Sequence, residues 1–552
     1  MILARPLRLL GLFLLVFIAP LGLRALWIPD ESRYAEIARE MLQTGDWVVP
    51  RLLGMHYFEK PVGGYWFNAL SQALFGQNLF ASRLPVAVAT GLSALVVALL
   101  AQRMWGDARK TLVAAFIYLT FVLVSGMAVY ITLDPQLALW LNLALLAFHA
   151  ATTTRDAHRR LAAWALLGGA CGMAFLVKGF MGWLLPVLVA APYMLWQRRL
   201  GELLRYGPLA VLVAAAVAAP WALAVHRQAP DFWNFFFWNE HIRRFASAEA
   251  QHHQPFWFYL PVLLLGCVPW VGLLPTALKR AWAERGDPRV GFLLIWLVFP
   301  LVFFCLARGK LATYLLPCFA PLALLLAHGV TQQLERRSGC WLRANAGING
   351  ALGAAALIAL WIGRRQGVFE AGDRTAWLIA MTIASGWLLV AVAQWRRPLR
   401  YWELSALPLW LMWVLLPGLL TQDQIDSKQP SMFIDAHRDV LRHADAVLGN
   451  DAGLSANLAW ELKRSDITVY SNQGELHYGL ATPAGTGRFV PRQDVAAWIA
   501  SARRQGSVAV VLRVAGPEDA DLAALPEGAV RRDLRHKLAL VFYPPYPPLV
   551  AP

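Results

Sequence analysis

Long apolar runs recur through the first three quarters of the chain and constrain its fold more than any other feature. About thirteen are long enough for a helix across a hydrocarbon core ~30 Å thick, which takes roughly 20 apolar residues. They centre near residues 17, 94, 120, 143, 169, 188, 216, 266, 298, 321, 355, 385 and 410. In 552 residues, 58% hydrophobic and only 15% charged, that much apolar surface has no place in a water-bathed globule. The expectation is an all-α polytopic membrane protein over residues 1–419. From residue 420 the chain turns polar. Helical patterns ("FIDAHRDVLRHA", "SANLAWELKR", "RQDVAAWIASARR") alternate there with short apolar runs ("DITVY", "SVAVVLRV", "LALVFY"). That alternation predicts a soluble α/β domain over residues 420–552. The domain has no glycine-rich phosphate loop, nucleophile elbow or ligand cluster, and no chemistry is assigned to it.

Lys and Arg fall in alternate loops, among them Arg103/Arg109/Lys110, Arg155/Arg159/Arg160, Lys279/Arg280/Arg285/Arg289 and Arg396/Arg397/Arg400. The positive-inside rule turns those loops to the cytoplasm. With about thirteen spans the N-terminus is then cytoplasmic and the C-terminal domain lies outside. The first run begins with basic residues, but "IAPLGLRALWIPDES" offers no small-x-small cleavage site, so it is read as a helix. Five cysteines, none of them in the C-terminal domain, make neither a disulfide framework nor a CxxC metal signal. Inside loops account for much of the formal charge of +16, so it does not point to nucleic acid; the remainder suits anionic substrates.

Two outer segments are long, 29–83 and 227–255. In the first, "DESRYAEIAREMLQTGDW" places Tyr34, Ile37, Ala38 and Met41 at helical spacing with Glu36, Arg39 and Glu40 opposite. That is an amphipathic helix on the membrane surface. A Gly-Gly turn in "MHYFEKPVGGYWFNALSQALFG" returns the chain to a second amphipathic stretch. The other segment is crowded with aromatics, as an interfacial belt is.

These outer segments collect the candidate site. Asp30 and Glu31 after Pro29 make an ordinary helix start, and Asp134 before Pro135 an ordinary N-cap. Both acids nevertheless stand at one predicted membrane face, where an ionisable group is costly unless it meets water, a partner or a substrate. Glu59 and Lys60 could be a surface ion pair, and Lys178 a snorkelling lysine. Glu240, His241, Arg243 and Arg244 in "WNEHIRRF" could be a solvated loop. Arg308, Lys310 and Tyr314 occupy an outer loop so short that they point to the bundle or the headgroups. Together they put acids and cations on one surface. Lys and Arg hold phosphate, while a carboxylate can act as base, steady a cationic centre or bind an amine. Glycosyl transfer from a lipid-phosphate sugar fits that mix. His241 with Glu59 or Asp30 could instead bind a divalent metal such as zinc, although the spacing is not diagnostic.

At these residues the chain resembles the GT-C membrane glycosyltransferases of the protein O-mannosyltransferase superfamily. "DESRYAEIAREMLQTGDWVVPRLLG", "YFEKPVGGYWFNALSQALFG", "LVKGF", "WNEHIRRF…HHQPFW" and "GKLATYLLP" resemble, in order, the blocks of its lipid A aminoarabinose transferase branch, over about residues 27–330. The resemblance implies transfer of 4-amino-4-deoxy-L-arabinose, with inversion, from an undecaprenyl phosphate carrier to a lipid A phosphate. The setting it implies is the periplasmic face of a bacterial inner membrane, with antimicrobial-peptide resistance as the result. It implies Asp30 as the motif acid, Asp134 as a second acid, and Lys60, Lys178, Arg243 or Arg244, Lys310 and Tyr314 as holders of the carrier phosphate. Glu59 and His241 match positions near which a metal sits.

A lipid A phosphate is already an anion at neutral pH and needs little deprotonation, so Asp30 and Asp134 are read as groups that position the sugar amine or stabilise positive charge at the anomeric carbon. A hydroxyl acceptor would instead require a base, with Asp30 the first candidate. The expected partners are the lipid-linked donor, the lipid A acceptor and membrane lipid, with the protein a monomer. The rivals are a GT-C transferase using another lipid-linked sugar and a lipid-phosphate flippase. Transporters usually show repeat symmetry and midplane broken helices, whereas these acids cluster at one face.

Overall fold

The computed structural model describes residues 6–243 and 253–547. Among these, eight helices are each long and apolar enough to cross a membrane: Leu79–Trp105, Asp134–Thr153, Ala157–Lys178, Leu200–Gln228, Pro288–Leu306, Ala312–Glu335, Cys340–Arg365 and Ala371–Arg396. A pair bent by 107°, Phe256–Gly266 and Val271–Ala283, passes the same test when taken as one span. Shorter apolar helices cover Pro6–Gly22 and Met181–Trp196. The remaining expected centres, near 120 and 410, fall on the helices Ala108–Thr120 and Leu407–Val414. The chain is an integral membrane protein, mostly helical, and it divides into two compact units: residues 1–21 with 83–419, and residues 22–82 with 420–552.

In the first unit, close helix packing follows from small residues. A Cβ on Gly168 would stand 2.3 Å from the Ala210 carbonyl oxygen, and one on Gly172 would stand 2.7 Å from the Val217 Cβ. The helices Ala157–Lys178 and Leu200–Gln228 therefore approach at a distance that larger side chains would forbid, which is how membrane helices gain dispersion contact. The bend between Gly266 and Val271 exposes backbone groups that the membrane interior cannot solvate. Neighbouring elements satisfy them: Asn349 Nδ2 donates to the Pro269 oxygen (2.9 Å), Gly272 N–H to Asn345 Oδ1 (3.0 Å) and Val122 N–H to the Val268 oxygen (2.9 Å).

The second unit contains residues 29–82, nearly all of the first segment expected to lie outside. Its helix Asp30–Thr44 ends at Gly45, whose φ of +69° is a left-handed cap. Both faces of this helix are buried, Glu36, Arg39 and Glu40 included. The charged face expected to meet water instead meets protein: Arg39 forks onto Glu36 (2.6 and 2.7 Å) and reaches Ser465 Oγ (2.9 Å), and Glu40 accepts the Gly54 N–H (2.9 Å). A two-residue hairpin joins β1 (Arg51–Leu52) to β2 (Met55–His56), with Leu53 and Gly54 both at positive φ, the geometry that matches strand twist. The chain reverses there rather than at Gly63-Gly64. Those glycines begin the helix Gly63–Phe75, where both are buried.

Residues 420–552 supply a six-stranded sheet of order β5-β4-β3-β6-β8-β7. Its strands are β3 (Ala446–Gly449), β4 (Thr468–Tyr470), β5 (Phe489–Val490), β6 (Val508–Arg513), β7 (Arg531–Arg535) and β8 (Leu538–Tyr543). β5, β4, β3 and β6 run parallel, while β8 and β7 are antiparallel additions at one edge. Val508 to Leu512 of β6 are all buried, as a central strand covered on both faces requires.

Candidate functional site

In the membrane-spanning unit Asp134 is the first residue of the helix Asp134–Thr153, and Pro135 in its first turn gives up an N–H that would have no helical partner. Lys178 is the last residue of the helix Ala157–Lys178, and Gly179 follows at a φ of +72°. The two ends meet: Lys178 Nζ donates to Asp134 Oδ1, with both side chains largely buried. The same ammonium stands 4.4 Å from the centre of the Tyr314 ring, a cation–π contact. Asp134, Lys178 and Tyr314, from three separate stretches of chain, thus form one cluster. A buried ion pair costs desolvation that its attraction only partly offsets, so it is better explained by holding two charges in place than by stability.

Lys310 is buried by a different arrangement. His253 pairs with Gly309 in an isolated antiparallel bridge, and the Lys310 ammonium donates to the backbone oxygens of Gln254 (3.0 Å) and Ala307. Tyr259 Oη donates to the Leu311 oxygen (3.1 Å), fixing the stretch that leads to Tyr314. His241 and Arg243 lie in the helical turns Asn234–Arg243, and their side chains are outside what the structure describes. Arg244 lies outside the described residues altogether.

In the second unit Asp30 opens its helix with a side chain about one third exposed, and Arg33 Nη2 donates to its Oδ1 at 2.5 Å. Arg33 pairs also with Glu475, whose carboxylate accepts from Tyr57 Oη at 3.0 Å. Burial pushes the Tyr57 phenol well above its ordinary range, with Arg33 opposing, so it remains a neutral donor. Glu59 and Lys60 sit side by side, their charges 3.9 Å apart, and Lys60 Nζ donates to the Glu59 backbone oxygen. Glu59 acts electrostatically on both Arg33 and Tyr57, so Asp30 and Glu59 share one charged neighbourhood. Glu31 is fully buried and accepts from Arg24 Nη1 (2.8 Å) and from the Trp27 N–H (2.9 Å), a structural task.

Sequence reasoning missed Arg33, Tyr57 and Glu475. Arg33 carried a local signal, one helical turn beyond Asp30; Glu475, far downstream in the chain, carried none. Among the described residues no three His, Cys, Asp or Glu side chains gather as a metal ion requires. The Glu59 carboxylate already faces an ammonium, which competes with any cation there.

Comparison with known proteins adds to this geometry. The family described as "Dolichyl-phosphate-mannose-protein mannosyltransferase" matches residues 3–236, and "Arabinosyl transferase ArnT, C-terminal domain" matches residues 425–542. The chain is 49% identical over 535 residues to the undecaprenyl phosphate-alpha-4-amino-4-deoxy-L-arabinose arabinosyl transferase of Pseudomonas paraeruginosa, covering 97% of each chain. With the protein of that name from Aeromonas salmonicida the identity is 47% over 535 residues, 96% of this chain and 97% of the other. The crystal structure of ArnT from Cupriavidus metallidurans bound to undecaprenyl phosphate superposes with a TM-score of 0.82 at 26% identity, covering 97% of both chains.

Proposed function

We propose that this chain, which belongs to the undecaprenyl phosphate-alpha-4-amino-4-deoxy-L-arabinose arabinosyl transferases and is a GT-C glycosyltransferase, moves 4-amino-4-deoxy-L-arabinose from undecaprenyl phosphate to a lipid A phosphate. The observation that carries the reading is near one-half identity with arabinosyl transferases over almost the whole of both chains. An oxygen of the anionic acceptor phosphate attacks the anomeric carbon without first losing a proton. As that C–O bond forms, the bond from the sugar to the carrier phosphate breaks on the opposite face. The electron pair leaves with undecaprenyl phosphate, and the configuration inverts.

Positive charge grows on the sugar and negative charge on the leaving phosphate, so fixed opposite charges lower the barrier. Asp30 and Asp134 are assigned to the sugar, holding its amine or facing the cationic centre. Lys178, oriented by Asp134 and the Tyr314 ring, is assigned to the leaving phosphate together with Lys60, Lys310, Tyr314 and Arg243 or Arg244. A divalent metal at Glu59 and His241 enters no step.

The reading includes about thirteen crossings, a cytoplasmic N-terminus, residues 420–552 as a periplasmic domain, a monomer, and reaction at the periplasmic face of a bacterial inner membrane. Capping lipid A phosphates with an amine reduces surface negative charge and so the binding of cationic antimicrobial peptides. Mass spectrometry of lipid A from cells with and without the protein tests the reading. The expected result is one added aminopentose per modified phosphate. Another sugar mass would select the rival transferase. Lipid A of unchanged mass, with no transfer by purified protein in detergent, would leave the flippase.

A further inference from the structure

Residues 420–552 carry no sequence motif for chemistry, yet their sheet has a feature that makes clefts. From β3 the chain moves to β4 and β5 on one side, then crosses back to place β6 on the other. Parallel strands whose connections depart in opposite directions leave a crevice outside their carboxyl ends, the usual place for a ligand in open α/β sheets. A cleft of about 570 Å³ lies there. Asn450 and Asp451 follow β3, Ser471 and Asn472 follow β4, Arg492 follows β5, and Arg513 ends β6; all line it. Lys537, just before β8, lines it as well.

The cleft is built rather than incidental. Asn450 spans the switch point, accepting the Arg513 N–H (2.8 Å) and donating to the Arg513 oxygen (2.8 Å) and to Asp521 Oδ2 (2.9 Å). Each cation is held by one carboxylate: Arg492 by Asp521 (2.7 Å), Arg513 by Asp451 (3.3 Å) and Lys537 by Asp423 (2.6 Å). Arg492 Nη2 also donates to Ser471 Oγ (3.3 Å). A guanidinium has five N–H groups, and a carboxylate on one edge orients the rest for an oxyanion. The helix Ala452–Leu462, capped by Asp451, presents its N-terminal end at the same place. The lining includes no aromatic ring and only two small apolar residues, Val514 and Ala515, so neither an acyl chain nor a nucleobase finds a partner.

We propose that this cleft binds a phosphorylated saccharide, the phosphate on Arg492 and Arg513 and the hydroxyls on Asp451, Ser471 and Asn472. The volume is that of a small-ligand pocket and far exceeds the needs of a bare phosphate. The proposal does not depend on the transferase reading. Such a saccharide can arrive as a soluble sugar phosphate or as the head of a glycolipid.

The test is calorimetric titration of the full-length protein in detergent with glucose 1-phosphate, glucose and inorganic phosphate. The expected result is saturable binding of glucose 1-phosphate at least tenfold tighter than of glucose or phosphate. Arg492 and Arg513 are 51% and 41% exposed, so their removal spares the core. R492Q/R513Q should weaken glucose 1-phosphate binding at least tenfold with an unchanged melting temperature, while R442Q, an exposed change elsewhere in the domain, should leave binding unaltered. Competition by lipid A in nanodiscs would support the site with a glycolipid head as its source; no competition, with binding otherwise as expected, would support it with the soluble source. Absence of binding, an undiminished affinity in the double variant, or phosphate binding as tightly as glucose 1-phosphate would each overturn the proposal.

Discussion

Asp134 and Lys178 show what one pair of side chains can and cannot contribute. Each is largely buried, so removing either leaves a charge without its counter-ion in a poorly polarisable place. Lys178→Met should therefore destabilise the protein by about 3–5 kcal/mol. Combining Lys178→Met with Asp134→Asn should recover most of that loss without recovering transfer. Thermal melts in detergent and transfer assays on the two singles and the double measure the coupling, and equal melting temperatures throughout would dismiss the pair. Asp30 differs, being more exposed, and its buried partner Arg33 keeps a second carboxylate, Glu475, when the Asp30 charge is removed. Asp30→Asn should abolish transfer while leaving the melting temperature close to that of the parent, and near-normal turnover would remove it from the chemistry. Lys60→Ala should raise the apparent KM for the lipid-linked donor by tenfold or more, with a smaller effect on kcat, if its ammonium holds the carrier phosphate as a point charge.

Among the elements, β3 and β6 show how a short strand is secured. Their first pair is Ala446 opposite Val508, and just ahead of it Asp445 accepts from the Ser507 N–H (2.7 Å) and Oγ (2.9 Å). Those hydrogen bonds, the backbone one first, hold the Asp445 carboxyl below its ordinary value. A carboxyl more acidic in the folded than in the unfolded chain stabilises the fold above its unfolded pKa and loses that contribution as pH falls through the folded value. Asp445→Asn should thus lower the melting temperature at neutral pH, and the gap from the parent should close as pH drops below about 4. A gap independent of pH would remove the carboxylate from the account. The same strands show what was legible. β4, β6 and β8 stood out as short apolar runs, whereas β3 is four residues long and β7, "RRDLR", is a charged edge strand. Both lacked the alternation that marks a strand, and pairing with neighbours made them strands.

For the molecule as a whole, the alternation of basic loops carries a prediction that no single helix does. Reporter fusions that fluoresce only in the cytoplasm should be bright after Arg199 or Arg336 and dark at the C-terminus, while periplasm-dependent phosphatase fusions should give the reverse. A C-terminal fusion bright in the cytoplasm would invert the topology. This prediction rests on the distribution of Lys and Arg and is independent of how the helices pack.

The apolar runs alone foretold a polytopic helical protein followed by an α/β module, because the hydrocarbon core imposes a length and a composition that are visible residue by residue. Acids beside proline foretold the helix starts at Asp30 and Asp134, although Asp134 is the first helical residue and does not cap the helix with its side chain. These patterns left open which charges meet, because an ion pair such as Arg33 with Glu475 joins positions that share no local pattern. Tertiary packing decided that Glu36, Arg39 and Glu40 are buried, against the water-facing reading of the helix pattern. It decided that Lys178 lies against Asp134 and Tyr314, and that the carboxyl ends of four parallel strands border an open polar cleft. A hydropathy pattern records which side of a helix is apolar, whereas the partner that covers the polar side is a property of the folded chain.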